Sequence, residues 1–223
     1  MFMQDWWLSP ELYLRRPPAY NEEWRLDRVL QRKAEQGVRI YVIVYKEVTQ
    51  TMSMSSHHTK QTLEALHPNI ACMRHPDHIG SKDDVEFWSH HEKVVVVDNH
   101  RACIGGLDLC FGRWDTHTHP LADVHPTHWS RTLFPGQDYN NARVLDFQQV
   151  DHFVNNAVSI LETPRMPWHD VSVFFASKLT ELMVLGQVHM TIAGDSVLDV
   201  VQHFVERWNE VKRRKVITSP SIS

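Results

Sequence analysis

Short apolar runs separated by polar segments dominate the pattern along the chain. Four of these runs, at residues 2–7, 38–45, 69–75 and 94–97, have the length of strands and contain β-branched or aromatic residues. The last run is four consecutive valines, which suits a strand that is apolar on both faces. The pattern therefore predicts several strands, with the valine strand buried inside a sheet.

Helical periodicity fills the stretches between these runs and the end of the chain. Asn21 is a candidate helix cap, and Gly37 is a candidate helix end. The apolar face of this first helix consists of Leu26, Val29, Leu30 and Ala34. A second helix includes residues 59–66, and a third follows Asp195 with the apolar positions Val197, Val200, Val201, Phe204, Val205 and Trp208. Strands that alternate with helices predict an α/β layered sheet.

Composition narrows the class of protein. The 223 residues are 42% hydrophobic and 22% charged, as in a soluble globular domain rather than a disordered chain. The net charge of -4 gives no global attraction to nucleic acid or anionic lipid. The three cysteines, Cys72, Cys103 and Cys110, match no disulfide framework, so a reducing compartment is expected. No apolar run approaches the roughly 18 residues of a membrane span.

Candidate chemistry is concentrated in HHEKVVVVD, residues 90–98. Polar residues stand directly before the valine strand, so they are expected at the mouth of a buried strand. Because side chains alternate along a strand, His91 and Lys93 share one face. A nucleophile or base and a cation would then converge on one spot. The same parity places Asp98 on the opposite face unless the strand ends before it.

The spacing of His91, Lys93 and Asp98 is HxKxxxxD, which resembles the signature of the phospholipase D superfamily. Further blocks are similar to eukaryotic phosphatidylcholine-cleaving phospholipase D: DWWLSPELYLRRP, IGGLDLCFGRWD, PGQDYNN, PWHDV and HFVERWN. The resemblance implies an α/β fold, a mixed β-sheet layered between helices. It further implies that residues 1–215 are part of the catalytic region of such an enzyme and that residues 216–223 are a tail.

The activity implied by the resemblance is hydrolysis or transphosphatidylation of phosphatidylcholine. His91 would attack phosphorus and form a phosphohistidine, because a neutral imidazole needs little activation near physiological pH. Lys93 would stabilise negative charge on the phosphoryl oxygens in the transition state. Asp98 would hold a donor of the site through a carboxylate hydrogen bond. No cofactor and no metal are implied.

Five more residues are candidates for substrate binding by their position in the similar blocks: Gly105, Gly106, Asp108, His169 and Asp170. A turn at the two glycines and an ordinary hydrogen bond between His169 and Asp170 are the alternative interpretations. A loop at residues 110–137 is long enough to be functional, and it contains the histidines His117, His119, His125 and His128. These histidines lack a cysteine or carboxylate at a tight ligand spacing, so surface histidines of a substrate-side loop are favoured over zinc.

Only one HxKxxxxD occurs in the chain, whereas the family uses two, one histidine as nucleophile and the other as general acid. The sequence is therefore expected to be the amino-terminal half of a catalytic region, whose second half is missing. Residues 172–188 interrupt the similar blocks between PWHDV and TIAGDS. A retained intron is one explanation of this segment, and a genuine insertion is the other.

The expected partners are a phospholipid membrane surface, with phosphatidylcholine as substrate, and the second HxKxxxxD half. A cytoplasmic protein peripheral to membranes is expected, without a transmembrane segment and without nucleic acid. Two alternatives remain open. One is a single-motif phosphodiesterase that is active only as a symmetric dimer. The other is a non-catalytic fragment or a module that binds lipid phosphate.

Overall fold

The computed structural model describes residues 1–15, 20–48, 54–76, 90–110, 113, 127 and 189–215. Several expectations concern residues outside these ranges. They are the segment 172–188, the tail 216–223, the two substrate-binding candidates His169 and Asp170, and the four histidines of the 110–137 loop. The boundaries proposed for the catalytic region and for its tail likewise stay predictions.

Six strands form one mixed sheet within the described residues. They are β1 (Phe2–Asp5), β2 (Ile40–Tyr45), β3 (Ile70–His75), β4 (Lys93–Val97), β5 (Arg101–Gly105) and β6 (His189–Ala193). Their order in the sheet is β3-β2-β1-β4-β5-β6. The first three strands are parallel, and β4, β5 and β6 each run antiparallel to the neighbour that precedes them in that order. The expected mixed sheet is confirmed.

Three α-helices of the described residues cover the two faces of this sheet. Helices α1 (Leu26–Glu35) and α2 (Ser56–Leu66) connect the parallel strands, because parallel neighbours require a crossover. Helix α3 (Val197–Lys215) follows β6 and packs on the opposite face. The expected layering of a sheet between helices is also confirmed.

Alternation along β1 and β2 divides the core between the faces. Met3 and Val42 point toward α1 and α2, where the buried cluster also includes Leu8, Leu12, Leu26, Leu30, Ala34, Ile40, Val44, Leu63, Ile70 and Cys72. Phe2 and Ile43 point toward α3, where the cluster also includes Met73, Val94, Val96, Ala102, Val197, Phe204, Trp208 and Val211. The rings of Phe2 and Phe204 stack with their centroids 4.9 Å apart. Sheet and helices are therefore joined by two apolar layers.

The predicted start of the first helix is wrong. Asn21 precedes a short 3-10 turn, Glu22–Trp24, and its side chain caps nothing. The helix begins only at Leu26, because Arg25 has an extended backbone that bridges to Tyr13. The Arg25 guanidinium then pairs with Asp27 in the first helical turn, at 2.7 Å between Nη2 and Oδ2. A tertiary bridge therefore displaces the local capping signal by one turn.

No helix in the described ranges combines the length and the apolar character needed to cross a bilayer.

Candidate active site at the end of the sheet

The candidate residues gather at one end of the sheet. The carboxyl ends of β1, β2 and β3 meet there, together with the amino end of β4. Lys93 is the first residue of β4, and its strand partner is Gly105 at the end of β5. His91 precedes the strand instead of belonging to it. The end of the sheet thus brings together residues from segments that lie far apart in sequence.

Lys93 is a buried cation with fixed partners. Its side chain is only 5% exposed, and its Nζ lies 3.0 Å from Oδ1 of Asp108. The same Nζ donates a hydrogen bond of 3.2 Å to the backbone carbonyl of His91. The ring of Trp6 lies beside it, with 5.6 Å from Nζ to the ring centroid. These contacts fix one positive charge directly next to His91.

Asp108 is held behind Lys93 and lies inside the protein. Its Oδ1 accepts a hydrogen bond from the backbone N–H of Trp7 at 3.2 Å, and its Oδ2 lies 3.4 Å from Nη2 of Arg113. The guanidinium of Arg113 also lies over the ring of Trp7, 5.8 Å from the centroid. The structure therefore shows Asp108 in contact with Lys93 and Arg113, two groups that can bind a phosphate.

Asp5, at the end of β1, is a site residue that the sequence patterns missed. Its carboxylate accepts hydrogen bonds of 2.8 Å from the backbone N–H groups of Trp6 and Leu109. Burial raises the pKa of Asp5 well above its usual value, and the charge of Asp108 and a hydrogen bond to it raise the pKa further. The available signal was an acidic residue inside the first predicted strand.

The two carboxyl groups and the two cations determine the charge of the site. Asp5, Asp108, Lys93 and Arg113 are all buried. The raised pKa of Asp5 favours the protonated form of this carboxyl group. With that proton in place, the two cations exceed the remaining carboxylate by one positive charge. Such a site attracts an anion such as a phosphodiester.

The two adjacent histidines have different environments. His90 is buried, with its ring stacked on His75 at 6.0 Å and against Tyr45 at 6.1 Å. Burial and the nearby positive charges of Arg207, His75 and Lys93 lower the pKa of His90 to about 3. His91 is exposed, and its ring meets the ring of Trp6 edge-on at 5.1 Å. His91 is thus the imidazole that a substrate can reach.

Comparison with known proteins agrees with this arrangement. The family model described as Phospholipase D matches residues 1–219. The chain belongs to the phospholipase D family. It is 40% identical to phospholipase D zeta 2 of Arabidopsis thaliana over 222 residues, which cover 100% of this chain and 19% of the relative.

Fungal and animal relatives agree with that assignment. Phospholipase D1 of Schizosaccharomyces pombe is 42% identical over 213 residues, 94% of this chain and 14% of the relative. Human phospholipase D1 is 53% identical over 124 residues, 56% of this chain and 11% of the relative. The chain therefore spans no more than a fifth of the length of these relatives.

The HxKxxxxD pattern of this phospholipase D family member is not brought together as a whole. Asp98 lies at the far end of β4 from His91, roughly 17 Å from Lys93 at about 3.3 Å per strand residue. It is exposed and has a φ of 53°, as does Asn99. The backbone N–H of His100 donates to the carbonyl of Val97 at 3.1 Å, which closes a β-turn centred on Asp98 and Asn99. The structure thus places Asp98 in the β4–β5 turn.

The structure describes some of the remaining candidate site residues and not others. Gly105 pairs with Lys93 across β4 and β5, and Gly106 follows it, both half-buried on the way to Asp108. No group of three or more metal-binding side chains occurs in the part of the chain that the structure describes. His169 and Asp170 stay predictions, because they lie outside the described residues.

Proposed function

We propose that the chain takes part in hydrolysis or transphosphatidylation of phosphatidylcholine, with His91 as the nucleophile. The observation that carries this proposal is the buried Lys93 ammonium, bonded both to Asp108 and to the carbonyl of the accessible His91. A cation in this position stabilises the charge that gathers on phosphoryl oxygens in the transition state. Membership of the phospholipase D family supports the same chemistry.

The reaction proceeds in two displacements. A ring nitrogen of His91 attacks phosphorus, the bond from phosphorus to the choline oxygen breaks, and that oxygen takes a proton from a general acid. Water or an alcohol then attacks phosphorus and gives its proton to the same group, now a base, while the bond to His91 breaks and phosphatidic acid or a new phospholipid leaves. Asp108 keeps Lys93 in place, and Asp98 maintains the turn that ends β4. Gly105, Gly106, His169 and Asp170 are proposed to line the substrate side.

The general acid is proposed to come from a second HxKxxxxD motif, since this sequence contains only one. A second half of the catalytic region would supply it. A second copy of the chain is the alternative, because isologous pairing would bring two His91 residues together. We propose that the reaction occurs at a membrane surface in the cytoplasm, where the chain acts as a peripheral protein.

The test is to trap the intermediate. The chain is mixed with a short-chain phosphatidylcholine, and peptides that contain His91 are examined by mass spectrometry for an acid-labile, base-stable phosphatidyl adduct. We expect the adduct in the wild type and in His100→Asn, an exposed histidine of the β4–β5 turn, and none in His91→Asn. Choline release without an adduct at His91 would refute the proposed mechanism.

The same samples test the non-catalytic alternative, which the single motif favours. A lipid-phosphate-binding module would bind phosphatidylcholine vesicles equally well with His91→Asn and would form no adduct. An adduct on the wild-type chain would exclude this alternative.

A further inference from the structure

Glu92 lies between His91 and Lys93, but its side chain has no role in the phosphoryl transfer proposed above. Its side chain points to the face of the sheet opposite Lys93, because side chains alternate along an extended chain. Three donors converge on its carboxylate. Oε2 accepts from Nε2 of Gln4 at 2.9 Å and contacts Nε2 of His203 at 2.6 Å, and Oε1 accepts from Nη2 of Arg207 at 2.8 Å.

Two of the three donors belong to α3. His203 and Arg207 are four residues apart, so they lie on the same face of that helix. They reach Glu92 across a separation of more than 100 residues in the sequence. The contact of Arg207 is the more sheltered one, since its side chain is 19% exposed. Helix α3 is therefore tied to the HxK segment by charge and not only by apolar packing.

The third donor, Gln4, is a polar residue in an apolar layer. It is fully buried on β1, opposite Val94 of β4, on the same face as Phe2. The Oε1 atom of Gln4 has no hydrogen-bond partner among the described residues, whereas its Nε2 donates to Glu92. An amide that is only half satisfied weakens a core. The bond to Glu92 offsets part of this cost.

The two faces of the sheet thus anchor the same three residues of backbone. On one face Lys93 is held by Asp108, which is packed with Asp5. On the other face Glu92 is held by Gln4 of β1 and by α3. Gln4 and Asp5 are consecutive residues of β1, so their side chains also lie on opposite faces of the sheet. Gln4 bonds to Glu92, and Asp5 bonds to Asp108. His91 lies at the open end of this doubly anchored segment.

The geometry points to Glu92 as a positioning residue, through which α3 holds the backbone of His91 and Lys93 in the arrangement needed for phosphoryl transfer. This inference rests on the proposed role of His91. It predicts that His203 and Arg207 affect the reaction through their contacts with Glu92. A displacement of about 1 Å at a reacting group can cost about 100-fold in rate.

The experiment compares Glu92→Gln with Glu206→Gln, which removes the same charge from an exposed residue of α3 whose partner is Gln202. Hydrogen exchange is followed by mass spectrometry in peptides that cover residues 90–95, and turnover of short-chain phosphatidylcholine is measured as separate kcat and KM values. For Glu92→Gln we expect exchange at least 10-fold faster in those peptides, with kcat lower by about 100-fold and KM changed less than twofold. Glu206→Gln should change none of these quantities.

Arg207→Gln and the double variant Glu92→Gln/Arg207→Gln measure whether the effects of Glu92 and Arg207 on kcat are coupled. If both residues act through one contact, the double variant should lose no more kcat than Glu92→Gln alone. Should Glu92→Gln not fold, His203→Asn, which removes only the most exposed of the three donors, takes its place in the same comparison. Unchanged exchange in residues 90–95, or multiplicative losses in the double variant, would overturn the inference.

The two proposals fail in different ways. A wild-type chain that exchanges slowly at residues 90–95 but neither releases choline nor forms an adduct would refute the proposed function. The exchange comparison would then decide alone whether Glu92 holds this segment.

Discussion

Lys93 and Asp108 form an ion pair that is almost completely removed from solvent, with side-chain exposures of 5% and 4%. Two desolvated charges contribute little net stability as a pair, but one of them left alone is strongly unfavourable. The backbone N–H of Trp7 and the guanidinium of Arg113 fix the carboxylate of Asp108, so that Lys93 has one defined position. This pair therefore serves to orient the cation at the expense of some stability.

The first prediction concerns the loss of this counter-ion. Asp108→Ala should lower the free energy of unfolding by about 3–5 kcal/mol, because it leaves a buried ammonium without its carboxylate. Urea denaturation gives the value. Glu35→Gln, which removes an exposed carboxylate that accepts a hydrogen bond from Gln31, should change stability by no more than about 0.5 kcal/mol. A loss below about 1 kcal/mol for Asp108→Ala would mean that Asp5 takes over as the counter-ion.

The second prediction concerns Asp5 and pH. The pKa of Asp5 is raised in the folded state by burial and by Asp108. Above about pH 4 the unfolded chain releases this proton while the folded chain still binds it. Stability therefore falls as the pH rises from about 4 until the folded-state pKa is passed, and it is then constant. Asp5→Asn has no such proton to lose.

The measurement is urea denaturation of the wild type and Asp5→Asn from pH 4 to pH 8. We expect the stability of the wild type to decline relative to that of the variant as the pH increases. The variant has its own constant deficit, since an asparagine nitrogen cannot accept the N–H bonds of Trp6 and Leu109. Two parallel curves would show that Asp5 is ionised throughout this range.

At the scale of elements, the hairpin of β4 and β5 decides which motif residues meet. Its register pairs Lys93 with Gly105 and Val97 with Arg101. The β-turn centred on Asp98 and Asn99 has positive φ at both positions, which Asp and Asn tolerate better than most residues. Asp98 thus has a structural reason to be present at the end of the strand.

The third prediction separates this structural reason from a direct part in the chemistry. Asp98→Gly should keep both the fold and any activity, since glycine adopts positive φ without cost. Asp98→Val should lower the free energy of unfolding by about 1–2 kcal/mol. Thermal unfolding and adduct formation at His91 provide the two readouts. Loss of the adduct in a well-folded Asp98→Gly would show that the carboxylate itself is needed.

The sequence predicted the elements in which apolar residues form an unbroken run or a helical stripe. It missed the strands in which exposed polar residues interrupt the buried positions. The run Val94–Val97 and the apolar stripe of α3 were recognisable because burial repeats with the period of the element. In β5, by contrast, Arg101 and Cys103 are exposed while Ala102 is buried, and β6 is a short edge strand. Neither pattern stands out from a polar segment.

The candidate site was predictable only in part for a related reason. His91 and Lys93 are close in sequence, so their proximity was predictable, although His91 lies directly before β4 and not on the strand. The partners Asp5, Asp108 and Arg207 come from three other segments, and their meeting depends on the strand order β1-β4-β5 and on the packing of α3. Local spacing contains no information about these tertiary contacts.

At the scale of the whole molecule, one end of a mixed sheet presents an exposed imidazole, the proposed nucleophile, and a buried positive charge beside it. His91 and Lys93 supply these two functions, and the sequence holds no second HxKxxxxD. Departure of a choline oxygen also needs a proton. General acid catalysis of this kind contributes about 100-fold to 10,000-fold to a rate. The loss of rate without a general acid depends on the leaving group, because only a poor leaving group needs a proton.

The last prediction uses this dependence. A phosphodiester with a nitrophenol leaving group needs no protonation, so the chain alone should release nitrophenolate in a burst that requires His91. Release of choline from short-chain phosphatidylcholine should be slower by about 100-fold to 10,000-fold relative to a complete enzyme, because the acid is missing. Specific activity toward choline esters that increases with protein concentration would indicate that a second copy supplies the acid. Equally fast release of both leaving groups at high dilution would show that one chain already contains the acid, and the need for a second motif would then be rejected.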